Sequence, residues 1–407
     1  MPNSKKKAAV TVKAEDLGKW YPLDPYAQGF MDMAMENGGF INFHSHLDRA
    51  YTLAPEYLEH IGTTPLEMAG APLTVKQQAV GNIHRGKAYT ESDLRDRVSL
   101  VLRHLIAYGT TECWTCVDTC PGIAEEGLLA WRVMRELREE FHDRIVLKVG
   151  PSPIFGLKQG SGRWETYQAA AQSADFLTGL PEKDDFDVNN GRLHRDGKVG
   201  FEQHVRRLVQ LACDSNKELH LHLDQTGEPT EHGTFRTIDV IDTMEQEVID
   251  WVIGDGIHPK IWAVHMLSPS SYSEEKFRRL LDALLRLNIG LIVCPTAAVS
   301  MRQQRPVMVP MHSSIARMLE CLKVGVKVRF GSDNINDMMV PAGDGNMCTE
   351  ILRVGTHVLR CYLSQVLSKL AAGVALNEVD RARIGNALYQ DRQAWARLNP
   401  GFQAAVE

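Results

Sequence analysis

Phe40-Ile-Asn-Phe-His44-Ser-His46-Leu-Asp-Arg49 is an apolar run that ends in two histidines spaced i and i+2. Alternate side chains of a strand share a face, so both imidazoles project to the same side of the sheet this run joins. Outward from it, short β-rich runs recur at residues 111–117, 145–150, 176–180, 218–223, 261–265, 290–294 and 327–331. Between them, apolar residues repeat at spacings of three and four over residues 92–107, 125–140, 201–215, 244–252, 273–287 and 313–323, the period of an amphipathic helix. Alternating strands and helices predict an α/β fold with a parallel sheet, and eight such units predict a closed (β/α)8 TIM barrel in preference to an open doubly wound sheet. No Gly-x-Gly-x-x-Gly follows the first strand to favour a dinucleotide site.

The chain then divides into an N-terminal extension at 1–38, a barrel over 39–346 and C-terminal helices over 347–407 packed on the barrel. In such a barrel the chemistry lies at the C-terminal ends of the strands. Residues 156–162 and 183–200 read as polar loops at that end, and 52–87 as a longer loop whose conformation the sequence does not specify.

Composition narrows the partners. Of 407 residues 44% are hydrophobic and 24% charged, the make-up of an ordinary globular chain. A net charge of −6 gives no broad attraction to phosphate or anionic lipid, and Lys5-Lys6-Lys7 is too short to alter that. The expectation is a small-molecule substrate, no nucleic acid and no membrane. Polar character at the N-terminus and the absence of a long apolar run predict a cytoplasmic protein. Eight cysteines spread over this length predict reduced thiols. Cys113-Trp-Thr-Cys116 lies in a predicted strand with no second pair at ligand spacing, and reads as packing. A terminal helix around residues 362–367 is the candidate interface of a homo-oligomer.

Ligand-type residues recur at the other strand ends. The fifth run ends His220-Leu-His222-Leu-Asp224-Gln225, the sixth ends Val264-His265, and the eighth ends Phe330-Gly-Ser-Asp333. Imidazoles and a carboxylate aimed into one barrel mouth suit a divalent metal, which acidifies bound water and polarises the bond under attack.

This order of residues resembles the amidohydrolase superfamily, and within it the cytosine deaminase-like branch that includes N-isopropylammelide hydrolases. The likeness is carried by Phe43 to Arg49, Gly109-Thr-Thr111, Gly179-Leu-Pro-Glu182, His222-Leu-Asp-Gln225, Gly331-Ser-Asp-Asn-Ile-Asn-Asp337, Pro341-x-Gly343 and Gly345-Asn-Met347. The resemblance implies that His44, His46, His222 and Asp333 hold one divalent ion, zinc first, with iron(II) and manganese(II) compatible. It also implies that His265 stands beside the ion as an acid/base or oxyanion-stabilising group and that Asp333 takes a proton from water. His220 shares a face with His222 and is a second candidate near substrate or ion. His222 is preferred as ligand because it stands three residues before Gln225, where the family has its catalytic Glu. The fourth strand, Asp175-Phe-Leu-Thr-Gly-Leu180, lacks the lysine that bridges two metals in binuclear relatives, which implies a mononuclear site, with Lys148 on the third strand the alternative.

Departures from cytosine deaminase bear on substrate. Gln225 replaces the catalytic Glu, and an amide does not shuttle a proton to a ring nitrogen. Asn334 replaces the second Asp of an Asp-Asp pair. The turn Gly150-Pro-Ser-Pro-Ile154 lacks the ring-binding Gln. Gln225 and Asn334 are therefore read as substrate-contacting groups at the reaction centre. Arg49 offers either a fork of donors to substrate or a buried salt bridge to Asp48 or Asp118. The helical tail predicts a barrel without the small β-sandwich common in the superfamily. The expected activity is metal-assisted cleavage of a C–N bond in a small polar nitrogen heterocycle or cyclic amide. An ester or lactone hydrolase on the same site, and a metal-binding pseudoenzyme, are the alternatives.

Overall fold

The computed structural model describes residues 25–186, 197–227, 229–300, 315–359 and 361–398. Among them are eight strands: β1 (Phe40–Ser45), β2 (Thr110–Asp118), β3 (Val146–Ser152), β4 (Leu177–Gly179), β5 (Leu219–Leu223), β6 (Ile261–His265), β7 (Gly290–Val293) and β8 (Val328–Phe330). All eight runs picked out by their pattern are strands, and every pairing is parallel, in a sheet β1-β2-β3 and a sheet β4-β5-β6-β7-β8. Hydrogen bonds join the sheets at two edges. Asp175 N–H donates to Val149 O at 2.9 Å and the Thr178 hydroxyl to Pro151 O at 2.6 Å beside β3 and β4. Beyond β8, Asp333 N–H donates to His44 O at 2.9 Å.

Two apolar cores flank the strands. Helices such as Glu91–Ala107, Leu129–Glu140, Phe201–Ser215 and Glu274–Arg286 bury one face against the sheets. A smaller cluster between the strands contains Phe43, Trp114, Phe176, Trp262 and Ile292. In that interior Arg329 pairs with Glu218 at 2.8 Å and lies over the rings of Trp262 and Phe43, 3.8 and 4.4 Å from their centroids. With Trp114 at 5.4 Å as the third ring, the aromatic faces replace part of the water that a half-buried guanidinium loses. Gly290 is required here, because a Cβ would stand 2.3 Å from the Trp262 ring.

Residues 52–87 contain more regular structure than their reading as a loop allowed. Pro65–Ala69 opens with a capping box in which Thr64 and Glu67 bond reciprocally, and Leu73–Arg85 is a helix of 13 residues. That helix lies across strand ends: Gln77 accepts from Lys183 after β4, and His84 meets Asp118 at the end of β2. The tail is helical over Ser364–Ala371 and Glu378–Leu398, preceded by a π-helical stretch at Thr349–Thr356. Residues 1–24, 187–196 and 399–407 of the predicted extension, loop and tail lie outside the described residues. No helix among those described is long and apolar enough to cross a membrane.

Candidate metal centre

His44, His46, His222, His265 and Asp333 come together at the C-terminal ends of β1, β5, β6 and β8. Potential ligand atoms of His44, His46 and His222 lie within 4.8 Å of one another, as do those of His44, His265 and Asp333. Asp333 is the hub: Oδ1 is 3.3 Å from His46 Nε2 and 3.7 Å from His44 Nε2, and Oδ2 is 3.8 Å from His265 Nε2. All five side chains are buried.

Local backbone explains how short segments aim these groups. β1 shifts register against β2 between Asn42 and Ser45, an irregularity of the kind that re-aims side chains at a strand end. Asn42, a buried amide in an otherwise apolar run, accepts from Ser332 N–H at 3.0 Å and donates to Ser332 Oγ at 2.8 Å, fixing Asp333 against β1. Gly331 permits this approach, since a Cβ there would stand 2.6 Å from His44 Cβ. His265 and Asp333 hold φ of 79° and 60°, left-handed conformations that ordinary residues adopt at a cost.

The protonation pattern suits a cation. Burial, then the neighbouring His222 and His46, hold His44 well below the usual imidazole range. Burial with His265 and His46 lowers His222 to about 3, and burial lowers His265. Burial would raise Asp333, but the hydrogen bond from His46 and the facing His265, His46 and His44 carry it far below the carboxylate range. Neutral imidazoles at His44, His222 and His265 beside a carboxylate leave lone pairs for a metal. Gly179 O lies 3.0 Å from His222 Nδ1, which places the proton there and leaves Nε2 as the free donor. His44 Nε2 is buried with no hydrogen-bond partner, as are Nδ1 of His46 and of His265. Orphaned nitrogens in a group this tight fit an ion.

The remaining predicted residues fall around this centre. Asn334 is buried and donates to Asp337 Oδ2 at 2.6 Å, while Asp337 Oδ1 accepts from Met339 and Val340 N–H at 2.8 and 3.0 Å. Gln225 donates to Glu182 Oε2 at 2.8 Å, and burial with the facing Glu231 pushes that carboxyl well up. His220 lies one step down β5 from His222, stacked 5.4 Å from Trp114 and 4.6 Å from Phe176, with Nε2 3.8 Å from Glu218. Lys148 is in register with Trp114.

Arg49 takes the buried-pair arrangement, with Nε 3.6 Å from Asp118 Oδ2, an ion-pair distance beyond hydrogen bonding. Asp118 also meets His84 Nε2 at 3.0 Å, and Cys120 Sγ lies 3.6 Å from His84 Nδ1. Burial alone would lower His84; its bonds to Asp118 and Cys120 raise it to about 9. Tyr89 completes the network by donating to Asp48 at 2.8 Å. His84 and Tyr89 escaped sequence reasoning because their partners are far along the chain. The signal for His84 was only a histidine in the last turn of a weakly patterned helix. Cys113, Cys116 and Cys120 are buried and unpaired, as packing required.

No protein-family model matches the chain. A Haemophilus influenzae protein described only as uncharacterized is 25% identical over 288 residues, 70% of this chain and 90% of that one. Among solved structures, 5-methylcytosine deaminase from Klebsiella pneumoniae superposes with a TM-score of 0.63 at 20% identity, covering 86% of this chain and 82% of that chain. This chain shares the fold of that deaminase. N-isopropylammelide isopropylaminohydrolase from Burkholderia multivorans gives 0.57 at 19% identity over 86% and 74% of the two chains. The likeness read from the short motifs is borne out as one of fold.

Proposed function

We propose that this chain is a mononuclear metal-dependent hydrolase that cleaves a C–N bond in a small polar nitrogen heterocycle or cyclic amide. Three imidazoles and one carboxylate from three strand ends, buried around nitrogens that lack partners, support the reading most strongly. His44, His46, His222 and Asp333 would hold the ion, with zinc the first choice for such a donor set. When bound, the metal supplies an acidified water and a polarised target bond. The proposal includes a closed (β/α)8 barrel, with the edge contacts at Asp175 and Asp333 as its two seams.

The chain's own residues then divide the work. Asp333 takes the proton released by water, because its carboxylate is ionised and stands within the cluster next to His265. His265 carries a proton to the departing nitrogen, since its imidazole is neutral, buried and 3.8 Å from Asp333. Asn334 and Gln225 hold substrate as hydrogen-bonding groups, and neither carries charge. Arg49, bound to Asp118, braces the segment after His46. Cytosine-type deamination is disfavoured by Gln225 and Asn334, although the fold is shared with a deaminase of that kind.

Metal analysis joined to a panel of aminopyrimidines, aminotriazines, cyclic amides and lactones tests this. Ammonia or amine release by zinc-loaded protein supports the proposal. Turnover of lactones alone would transfer the site to ester chemistry, and failure to retain any metal would refute both.

A further inference from the structure

The segment after β4 reaches both the metal cluster and Gln225. Gly179 O orients His222, and three residues later Glu182 accepts two hydrogen bonds, from Asp224 N–H at 2.9 Å and from the Gln225 side-chain amide at 2.8 Å. Both Glu182 oxygens face donors, Oε1 the Asp224 N–H and Oε2 the NH2 end of the Gln225 amide. Asp224 does not compete, because its oxygens already take Gly233 N–H at 2.5 Å, Thr234 N–H at 2.9 Å and the Thr234 hydroxyl. Gln225 is 8% exposed, and among the described residues its Oε1 receives no hydrogen bond. The amide is thus anchored by one end, at the position three residues beyond a proposed metal ligand.

We infer that Glu182 is a positioning residue that fixes the polarity of Gln225, turning its carbonyl to the substrate, so that the site selects compounds with an N–H beside the scissile bond over compounds with a bare ring nitrogen there. The inference rests on the proposed function of this site and deepens it to a substrate class. A bare ring nitrogen would set one acceptor against another, and a buried acceptor left unpaired costs roughly 10- to 100-fold in binding.

The test is calorimetric binding and ammonia release on zinc-loaded full-length protein. Ammelide, whose amino carbon lies between a ring N–H and a bare ring nitrogen, is compared with cytosine, whose amino carbon has a bare ring nitrogen on one side and no ring N–H on the other. Wild type should bind ammelide roughly 10- to 100-fold more tightly. Glu182→Gln can meet Gln225 with either end of its own amide and should bring the two affinities within a few-fold, with zinc content unchanged. Glu182→Asp should restore the preference in part, and Gln225→Leu, which leaves Glu182 in place, should abolish it. Equal or cytosine-favouring affinity in wild type, or a ratio untouched by Glu182→Gln, overturns the inference. A wild-type chain that takes up no zinc fails the proposed function by a separate measurement, and the inference falls with it.

Discussion

His220 and His222 stand two residues apart on one face of β5, both buried, yet their surroundings differ in kind. His220 packs against Trp114 and Phe176, which also touch each other, with Glu218 of the Arg329–Glu218 pair beside it. His222 is braced by Gly179 O and faces His44, His46 and His265, with ring centroids 4.7, 5.6 and 5.5 Å away. One step along a strand separates an aromatic floor from a polar mouth. A buried histidine on a strand is therefore not a ligand by type or by burial; its depth and the company of its free nitrogen decide its role.

The largest effect expected is from His222→Ala, which should abolish metal retention and turnover together, measured by elemental analysis and by amine release. Next comes His265→Asn, which should keep the metal and lose about 100- to 10,000-fold in kcat; a loss within a few-fold would show that the proton travels elsewhere. His220→Phe sharpens the comparison from the floor. It should leave metal content and kcat within a few-fold of wild type and shift unfolding free energy by only about 1 kcal/mol, because the new ring packs against Trp114 and Phe176 while Glu218 retains Arg329. Loss of metal in this variant would move the boundary between floor and mouth.

The smallest effect lies beside the mouth, at His84. Its value is raised in the folded state from 6.5 to about 9, so the fold binds this proton more tightly than the unfolded chain does. The associated stability is fully present below about pH 6.5 and is lost as pH rises through about 9. In urea unfolding, His84→Gln should be less stable than wild type by on the order of 2 kcal/mol at pH 6, and the gap should close above pH 9.5. A gap that persists at high pH would assign the loss to packing against Tyr89 and Phe155 and not to the His84–Asp118 pair.

Much of the fold was legible because parallel strands buried on both faces read as short apolar runs, and the helices between them carry strong three-four patterns. The helix at Leu73–Arg85 was not legible, since its inward face mixes Lys76, Val80, Ile83 and His84. The ligand-type residues were legible because strand ends announce them, as at His44 and His46. What surrounds them was not: Asn42 on Ser332, Gly179 on His222 and Glu182 on Gln225 are contacts between strand ends distant in sequence. Arg49 shows the limit most plainly, because its sequence allowed a substrate fork or an ion pair, and the ion pair with Asp118 became visible only in the fold.

The central claim is that the mouth holds one metal ion and the floor holds none. Elemental analysis of purified wild type, Asp333→Ala and His220→Phe tests it in one experiment. The account predicts one equivalent of zinc or a similar divalent ion in wild type and in His220→Phe, and a stoichiometric loss in Asp333→Ala. Undiminished metal in Asp333→Ala, or its disappearance from His220→Phe alone, would contradict it.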